Sequence, residues 1–179
     1  MKDYVERVLI SKEEIAEAVK RLGKQITEDY KDKNLFLICV LKGGFVFMAD
    51  LIREIDLTFQ MDFIAVSSYG ASTKSSGVVR LIKDIDVPIN DKHVIIVEDI
   101  VDTGLTLKYL KELFETRNPL SVKICSIFDK PSRRVTEIVP EYSGITIPNE
   151  YVIGYGLDCG GLYRNLPDLC VLNEEYHKK

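Results

Sequence analysis

The stretch HVIIVEDIVDTGLTL, residues 93–107, decides how this chain is read. His93 leads into an unbroken apolar run, Val94 to Val97, of the kind that forms a strand buried on both faces. Three carboxylates follow within five positions: Glu98, Asp99 and Asp102. Thr103, Gly104 and Thr106 then have the composition of a turn opening a helix, and consecutive N–H groups there make a phosphate-sized nest. The acids in front of that nest repel an anion and repel one another. Two carboxylates about 5 Å apart cost roughly 3 kcal/mol at an effective dielectric near 20. They therefore need a divalent cation, hydroxyl donors, a nearby lysine or a shared proton. A phosphorylated sugar meets both demands, its hydroxyls facing the acids and its phosphate the N–H groups. Taken alone, the same letters also fit an N-cap at Asp102 or Thr103 on a surface helix. Strand alternation would likewise send Glu98 and Asp99 to opposite faces.

Working outward, the segments on either side alternate between strand and helix patterns. Ser11 with Glu14 forms a capping box, and Ile15, Ala18, Val19, Leu22 and Ile26 recur at helical spacing over about 11–31. LFLICVL (35–41) predicts a buried strand, broken by KGG (42–44), and FVFMADLIREI (45–55) predicts a helix. LTFQMDFIAVSSY (57–69) and VVRLI (78–82) have strand character, flanking the small, polar GASTKSSG (70–77), which reads as a mobile loop. LTLKYLKELFETR (105–117) places Leu107, Leu110, Leu113 and Phe114 on one helical face, and Asn118-Pro119 ends it. SVKICSIFDK (121–130) and YVIGYGLD (151–158) predict two more apolar strands. This alternation predicts an α/β fold, a central mostly parallel twisted sheet with helices on both faces. No repeat or linker divides residues 1–179, so one domain is expected.

Bulk properties narrow the function. Hydrophobic content of 46% and charged content of 29% are ordinary for a globular chain. The net charge of −4 argues against nucleic acid as the main partner. No apolar run approaches the roughly 18 residues of a membrane span, and MKDYVERVLISKEE is too charged for a signal peptide, so a cytoplasmic protein is expected. Cys39, Cys125, Cys159 and Cys170 form no CxxC pair, which leaves zinc ribbons and dithiol redox chemistry unsupported. Cys39 and Cys125 read as buried reduced thiols, whereas Cys159 and Cys170 carry no assignable role. Neither a G-x-G-x-x-G nor a Walker A lysine is present.

In open parallel sheets ligands bind beyond the carboxyl ends of the strands. Four segments carry unusual residues there: LKGG (41–44), VEDIVDTGLT (97–106), DK (129–130) and YGLD (155–158). Gly43 and Gly44 let backbone N–H groups face an anion, and Lys42 adds charge. Lys130 by itself is a surface lysine before Pro131, and SRR (132–134) reads as a solvated basic face. Tyr151 is a stacking platform only if it faces a ligand at the sheet edge. Asp158 either caps a turn or adds a carboxylate for a second metal. Magnesium held through few carboxylates plus substrate phosphates suits this composition.

Together these motifs carry a resemblance. VIIVEDIVDTGLTL (94–107) resembles the phosphoribosyl pyrophosphate signature of type I phosphoribosyltransferases: a hydrophobic strand, two acids, two further residues, then Asp-Thr-Gly and a threonine. The order of LKGG, SSYG, EDIVDTGLT, DKPSRR and YVIGYGLDCGGLYRNL is similar to the hypoxanthine-guanine branch, over roughly residues 5–172. The resemblance implies the type I fold with a small hood formed by terminal segments, and a lid over about 68–78 that includes Ser68 and Tyr69. It implies Mg2+-dependent transfer of phosphoribose from phosphoribosyl pyrophosphate to an oxopurine base through an oxocarbenium-like transition state. Glu98 and Asp99 then match the acids that serve the ribose hydroxyls and the metal, and Asp102 the general acid/base beside purine N7. Thr103, Gly104, Leu105 and Thr106 match the ribose-phosphate loop. Lys42, Gly43 and Arg164 match the pyrophosphate contacts, with a cis peptide between Leu41 and Lys42. Lys130, Tyr151 and Val152 match the purine site, and Asp158 both that site and the second-metal ligand. A homo-oligomer, dimer or tetramer, is also implied.

Two positions depart from the pattern. Leu105 stands where some members have a lysine or arginine, and Asp129 is expected to pair with Lys130 and weaken its pull on the base. Rival readings are a xanthine-preferring relative and a non-catalytic regulator that senses phosphoribosyl pyrophosphate and binds nucleic acid. The acidic balance and Asp102 speak against the regulator. A receiver-type signalling domain also clusters acids, but after its first strand, whereas these follow a central one.

Overall fold

A computed structural model describes residues 3–68 and 79–176. The chain runs β1 (Val5–Ile10), α1 (Lys12–Asp29), β2 (Leu35–Leu41), α2 (Phe45–Glu54), β3 (Gln60–Ser68) and β4 (Val79–Lys83). It continues with β5 (His93–Val101), α3 (Leu105–Glu115), β6 (Ser121–Asp129), β7 (Tyr142–Thr146), β8 (Val152–Ile153) and β9 (Leu169–Leu172). Six strands form the central sheet in the order β4-β3-β2-β5-β6-β7. All neighbours pair in parallel except β3 with β4.

The sheet is buried on both sides, as the apolar strands predict. Leu35, Leu37, Cys39, Ile95 and Val97 pack towards α1 and α2. Phe36, Ile38, Val40, Val94 and Ile96 pack towards Leu107, Leu110 and Phe114 of α3. α1 starts where its capping box requires: Ser11 accepts from Glu14 N and the Glu14 carboxylate accepts from Ser11 N at 2.9 Å. Burial of the α1 stripe Ile15, Val19, Leu22 and Ile26 then holds the helix to the sheet.

β5 differs from its expected form in a way that builds the site. It does not stop before the acids but continues to Val101, because Glu98, Ile100 and Val101 still pair with Ser126, Phe128 and Asp129 of β6. Its alternation also shifts. Beyond Val97, Ile100 packs on the α1–α2 side and Val101 on the α3 side, the reverse of strict alternation. Glu98 and Asp99 stand where the sense changes.

The segment 151–158 is not a fourth strand of the parallel sheet. Only Val152–Ile153 is extended, and it pairs antiparallel with β9 in a separate sheet, β1-β9-β8. Gly154, Tyr155 and Gly156 at φ +97°, +47° and +98° end it by turning the chain into the left-handed region. This small sheet, built from both chain termini, is the hood that the resemblance implied. All four cysteines are free and buried, Cys170 in β9 of the hood and Cys159 packed in the same apolar cluster. Among the described residues, no helix is long and apolar enough to cross a membrane.

Candidate active site

The carboxyl ends of β2, β5 and β6 meet at one end of the sheet. Glu98 and Asp99 are buried there, 8% and 9% exposed, both lining one cavity at the start of α3, and Asp99 N donates to Glu98 Oε1 at 3.2 Å. The Asp99 carboxylate also accepts from Ile100 N at 2.7 Å. Strand alternation therefore does not separate the two acids. Burial pushes Glu98 well above the usual carboxylate range, and the charge of Asp99 adds to it. Burial raises Asp99 as well, opposed by hydrogen bonds from Glu98 and Ile100 and by the charge of Arg164. Two acids side by side repel each other, so the position between them favours a cation. Two hard oxygen ligands suit magnesium completed by substrate oxygens. Among the described residues, no group of three or more His, Cys, Asp or Glu side chains stands ready to hold a metal without such help.

Gly43 closes over this pair. A Cβ at Gly43 would lie 1.6 Å from Asp99 Oδ2, so only glycine lets the β2–α2 turn come this near. The peptide between Leu41 and Lys42 in the same turn is cis, as the resemblance implied, and Lys42 is exposed. The Gly43 carbonyl in turn sits against Gly156.

Beyond the acids, Asp102, Thr103, Gly104 and Thr106 line a cavity of about 170 Å³ together with Glu98 and Asp99. Gly104 is the N-cap of α3, at φ +83°, and has no side chain to cap it, while Thr103 Oγ1 accepts from Leu105 N at 3.5 Å. Neither Asp102 nor Thr103 occupies the N-cap position itself; Thr103 makes only this long bond to Leu105 N, which leaves first-turn N–H groups for an anion. Leu105 does not line this cavity; its side chain faces a groove beside α3.

A second cavity, about 360 Å³, is lined by Ile100, Asp102, Lys130, Tyr151, Val152 and Leu157, among others. Ile100 and Asp102 belong to both cavities. Lys130 is buried and donates to Glu150 O at 2.9 Å; burial lowers its pKa, opposed by the charge of Asp102. Tyr151 is half exposed at the cavity wall and not in the core. A hydrogen bond with Cys159, then burial, pushes its hydroxyl up to about 12.

Asp129 does not pair with Lys130, contrary to expectation. It pairs with the nearly buried Arg134, whose Nε also donates to Asp102 O at 3.0 Å and whose Nη2 donates to Val101 O at 3.2 Å. Arg133 Nε donates to Asp102 Oδ1 at 3.1 Å. Ser132 and Arg133 of the SRR segment are exposed, as expected, but Arg134 is nearly buried and both arginines reach Asp102. Sequence reading missed both arginines, and also Glu150, whose carboxylate pairs with Arg7 of β1. The only available signal was two adjacent arginines directly after a strand end, which does not name a partner.

Asp158 does not line the 360 Å³ cavity. Its Oδ1 is 2.7 Å from Arg164 Nη2 and its Oδ2 accepts from Gly161 N at 2.7 Å. The expected metal ligand and the expected pyrophosphate contact are thus paired with each other. Arg164 also donates to Gly156 O at 2.6 Å, which ties it to the Gly43 turn. Ser68 ends β3, while Tyr69 and the rest of the expected lid through residue 78 lie outside the described residues.

Comparisons with known proteins agree with this geometry. The family model for the phosphoribosyl transferase domain matches residues 9–159. A hypoxanthine-guanine phosphoribosyltransferase of Streptococcus thermophilus is 49% identical over 98% of this chain and 97% of its own. Among solved structures, a hypoxanthine phosphoribosyltransferase from Staphylococcus aureus superposes with a TM-score of 0.95 at 44% identity, covering 100% of this chain and 97% of that one. A hypoxanthine phosphoribosyltransferase from Trypanosoma cruzi, a point mutant complexed with the product IMP, gives a TM-score of 0.91 at 43% identity. That match covers 98% of this chain and 94% of the other. With the acid pair, the start of α3 and the lysine-lined cavity at one end of the sheet, this chain belongs to the phosphoribosyltransferase family, in its hypoxanthine-guanine branch, a purine-salvage transferase.

Proposed function

We propose that the chain acts as one phosphoribosyltransferase unit that joins hypoxanthine or guanine to the ribose of phosphoribosyl pyrophosphate, giving IMP or GMP and pyrophosphate. The observation that carries this reading is Asp102, which forms the common wall of the two cavities. A base in the larger cavity and a ribose phosphate in the smaller one would meet beside its carboxylate.

The proposed step is a substitution at ribose C1′. The C1′–O bond to pyrophosphate breaks, the oxygen keeping the electron pair, and the N9 lone pair of the purine forms the new C1′–N9 bond. The N7–H proton passes to Asp102. Aspartate carboxylates are weak bases, but N7–H grows more acidic as N9 gives up its electrons. Thr103, Gly104, Leu105 and Thr106 would hold the ribose phosphate through N–H groups at the start of α3. Lys130 would donate to the purine's exocyclic oxygen, Tyr151 would stack on the ring and Val152 would meet it through its backbone. Lys42, Gly43 and Arg164 would bind the leaving pyrophosphate, whose charge needs fixed donors. Glu98 and Asp99 would take the ribose hydroxyls and a magnesium ion, with Asp158 ligating a second ion once released from Arg164. Bound magnesium supplies charge neutralisation on the leaving group. Ser68 and Tyr69 belong, in this reading, to a lid that excludes water from an oxocarbenium-like transition state. The protein would work in the cytoplasm as a dimer or tetramer.

One assay tests the reading. Magnesium, phosphoribosyl pyrophosphate and each of hypoxanthine, guanine, xanthine, adenine and uracil are supplied in turn and pyrophosphate release is measured. Release is expected with hypoxanthine and guanine. Release with no base would overturn the proposal, and preference for xanthine would move the enzyme to that neighbouring specificity.

A further inference from the structure

Asp102 is gripped by two consecutive arginines that do different things. Arg134 reaches only backbone at this loop, through the carbonyls of Val101 and Asp102, and anchors itself on the Asp129 carboxylate and the Ile138 carbonyl. It fixes where the loop runs. Arg133, carried on the short turn Pro131–Arg133, reaches the functional group itself: its Nε lies 3.1 Å from Asp102 Oδ1. Arg133 also lines the cavity assigned above to the base.

We propose that Arg133 is a positioning residue for proton transfer at the purine. By engaging Oδ1 of Asp102 it sets the rotation of the carboxylate and turns Oδ2 towards the purine N7. The inference rests on the reading of Asp102 as the base at N7. Its logic is geometric. A short aspartate side chain has two rotatable bonds, and a free carboxylate beside a 360 Å³ cavity samples orientations that miss N7. A misplacement of about 1 Å can cost a hundredfold in rate. A hydrogen bond to Oδ1 from an arginine carried on the adjoining turn restricts that freedom. The proton still moves from N7 to Asp102 Oδ2 as C1′–N9 forms and the C1′–O bond breaks, so Arg133 gains and loses no atom in the step. Because N7–H becomes a strong donor only when N9 is attacking, the alignment matters most in the transition state. It should therefore appear in kcat more than in KM.

Both side chains of the pair are substantially exposed, 50% for Arg133 and 39% for Asp102, so their contact contributes little to folding. Variants at Arg133 are then expected to keep the wild-type melting temperature. The test is a double-mutant cycle in single turnover with hypoxanthine, using wild type, Arg133→Leu, Asp102→Asn and the double variant, with Arg133→Lys as the conservative control. Arg133→Leu is expected to lower the rate of the chemical step by roughly ten- to a hundredfold, with less than about a threefold change in base KM. Arg133→Lys should restore part of the rate, since it keeps the charge but not the rigid fork. On the Asp102→Asn background, Arg133→Leu should add almost nothing, because the group it aims is gone. Equal losses on both backgrounds would overturn the proposal, as would an unchanged rate in Arg133→Leu while Asp102→Asn is impaired. An unimpaired Asp102→Asn would remove the underlying reading of Asp102 and this inference with it, a result distinct from the other two.

Discussion

Gly43→Ala puts the union of fold and site under direct strain. Gly43 is not in the left-handed region, so alanine is acceptable to its backbone; the obstacle is steric. The added Cβ would sit 1.6 Å from Asp99 Oδ2 and 2.5 Å from its Cγ, whereas ordinary contact begins near 3.4 Å. The carboxyl group, or the turn, must retreat by roughly 2 Å. Asp99 has no room to do so cheaply, being 9% exposed, with its N–H bonded to Glu98 Oε1 at 3.2 Å and its carboxylate held by Ile100 N at 2.7 Å. Overpacking of this kind costs about 1–3 kcal/mol, and a lost hydrogen bond to a charged group about 1.5–3 kcal/mol. Partial relaxation puts the net near 3 kcal/mol, about 6–12 °C of melting temperature for a domain of this size. Gly161→Ala is the control. It is at φ +86° with nothing within 4 Å of a built Cβ, so it carries the backbone penalty alone, about 1–2 kcal/mol. Calorimetric melting of both variants, with pyrophosphate release alongside, gives the answer. Gly43→Ala should melt lower than Gly161→Ala and lose most of its turnover. If Gly43→Ala melts within about 2 °C of wild type and keeps its rate, the claim that the turn is held against Asp99 is wrong.

Other substitutions separate the remaining parts. Glu98→Gln removes one of two buried, mutually repelling acids, so melting should rise by a few degrees while turnover collapses; lower melting would refute the reading that the pair is unfavourable in the fold. Arg7→Ala frees Glu150, whose carbonyl accepts Lys130 at 2.9 Å, so base KM should rise several-fold with phosphoribosyl pyrophosphate KM unchanged. Equal shifts in both constants would show that β1 does not act through Lys130. Arg117 pairs with Asp84 through two bonds of 2.9 and 2.7 Å and holds that carboxyl below the usual range. With a folded pKa below the unfolded value near 4, the contribution is complete above about pH 4 and is lost as pH falls through the lower folded value. Urea melts should therefore show wild type and Asp84→Asn converging from about pH 5 down to about pH 2, and a gap independent of pH would exclude this linkage.

What could be read from the sequence follows the range of each signal. The α1 boundary was legible because its capping box is closed within four residues, and β2 and the first half of β5 because burial on both faces leaves unbroken apolar runs. β1, VERVLI, was not legible: three of its six residues are exposed, since it is an edge strand of the hood. β7, YSGIT, has one buried position and a glycine whose missing Cβ admits the Ile127 carbonyl, a contact with no local trace. YVIGYGLD has the composition of a strand, but its glycines adopt positive φ and turn the chain. Within the site, residue types and order named the acids, the nest and Lys130. They did not name their partners. Arg134 could as well have been solvated, and Asp129 is the sequence neighbour of Lys130, yet the turn at Pro131–Arg133 brings Arg134 back over it.

The charge conflict in residues 93–107 also explains why the loops around it are so heavily braced. Burying Glu98 beside Asp99 is unfavourable on its own, as the upward shift of both carboxyls records. Such a pair persists only where the surrounding structure leaves it no alternative. Here the restraint comes from every side: Gly43 presses on Asp99, Gly156 presses on Gly43, Arg164 ties Gly156 to Asp158, and Arg134 ties the β5 end to β6. None of these contacts is needed to bury the sheet, whose apolar layers are complete without them. They are needed to keep two acids, a bare helix end and a lysine within one ligand's reach. A ligand carrying hydroxyls, phosphate and a companion cation relieves the acids and fills the nest together, so binding it should offset the cost of burying the pair. A plain phosphate would satisfy the helix end and leave the acids as costly as before. Under the proposed function, the electrostatics of these residues alone would favour a phosphorylated sugar over a plain phosphate, before any base entered the neighbouring cavity.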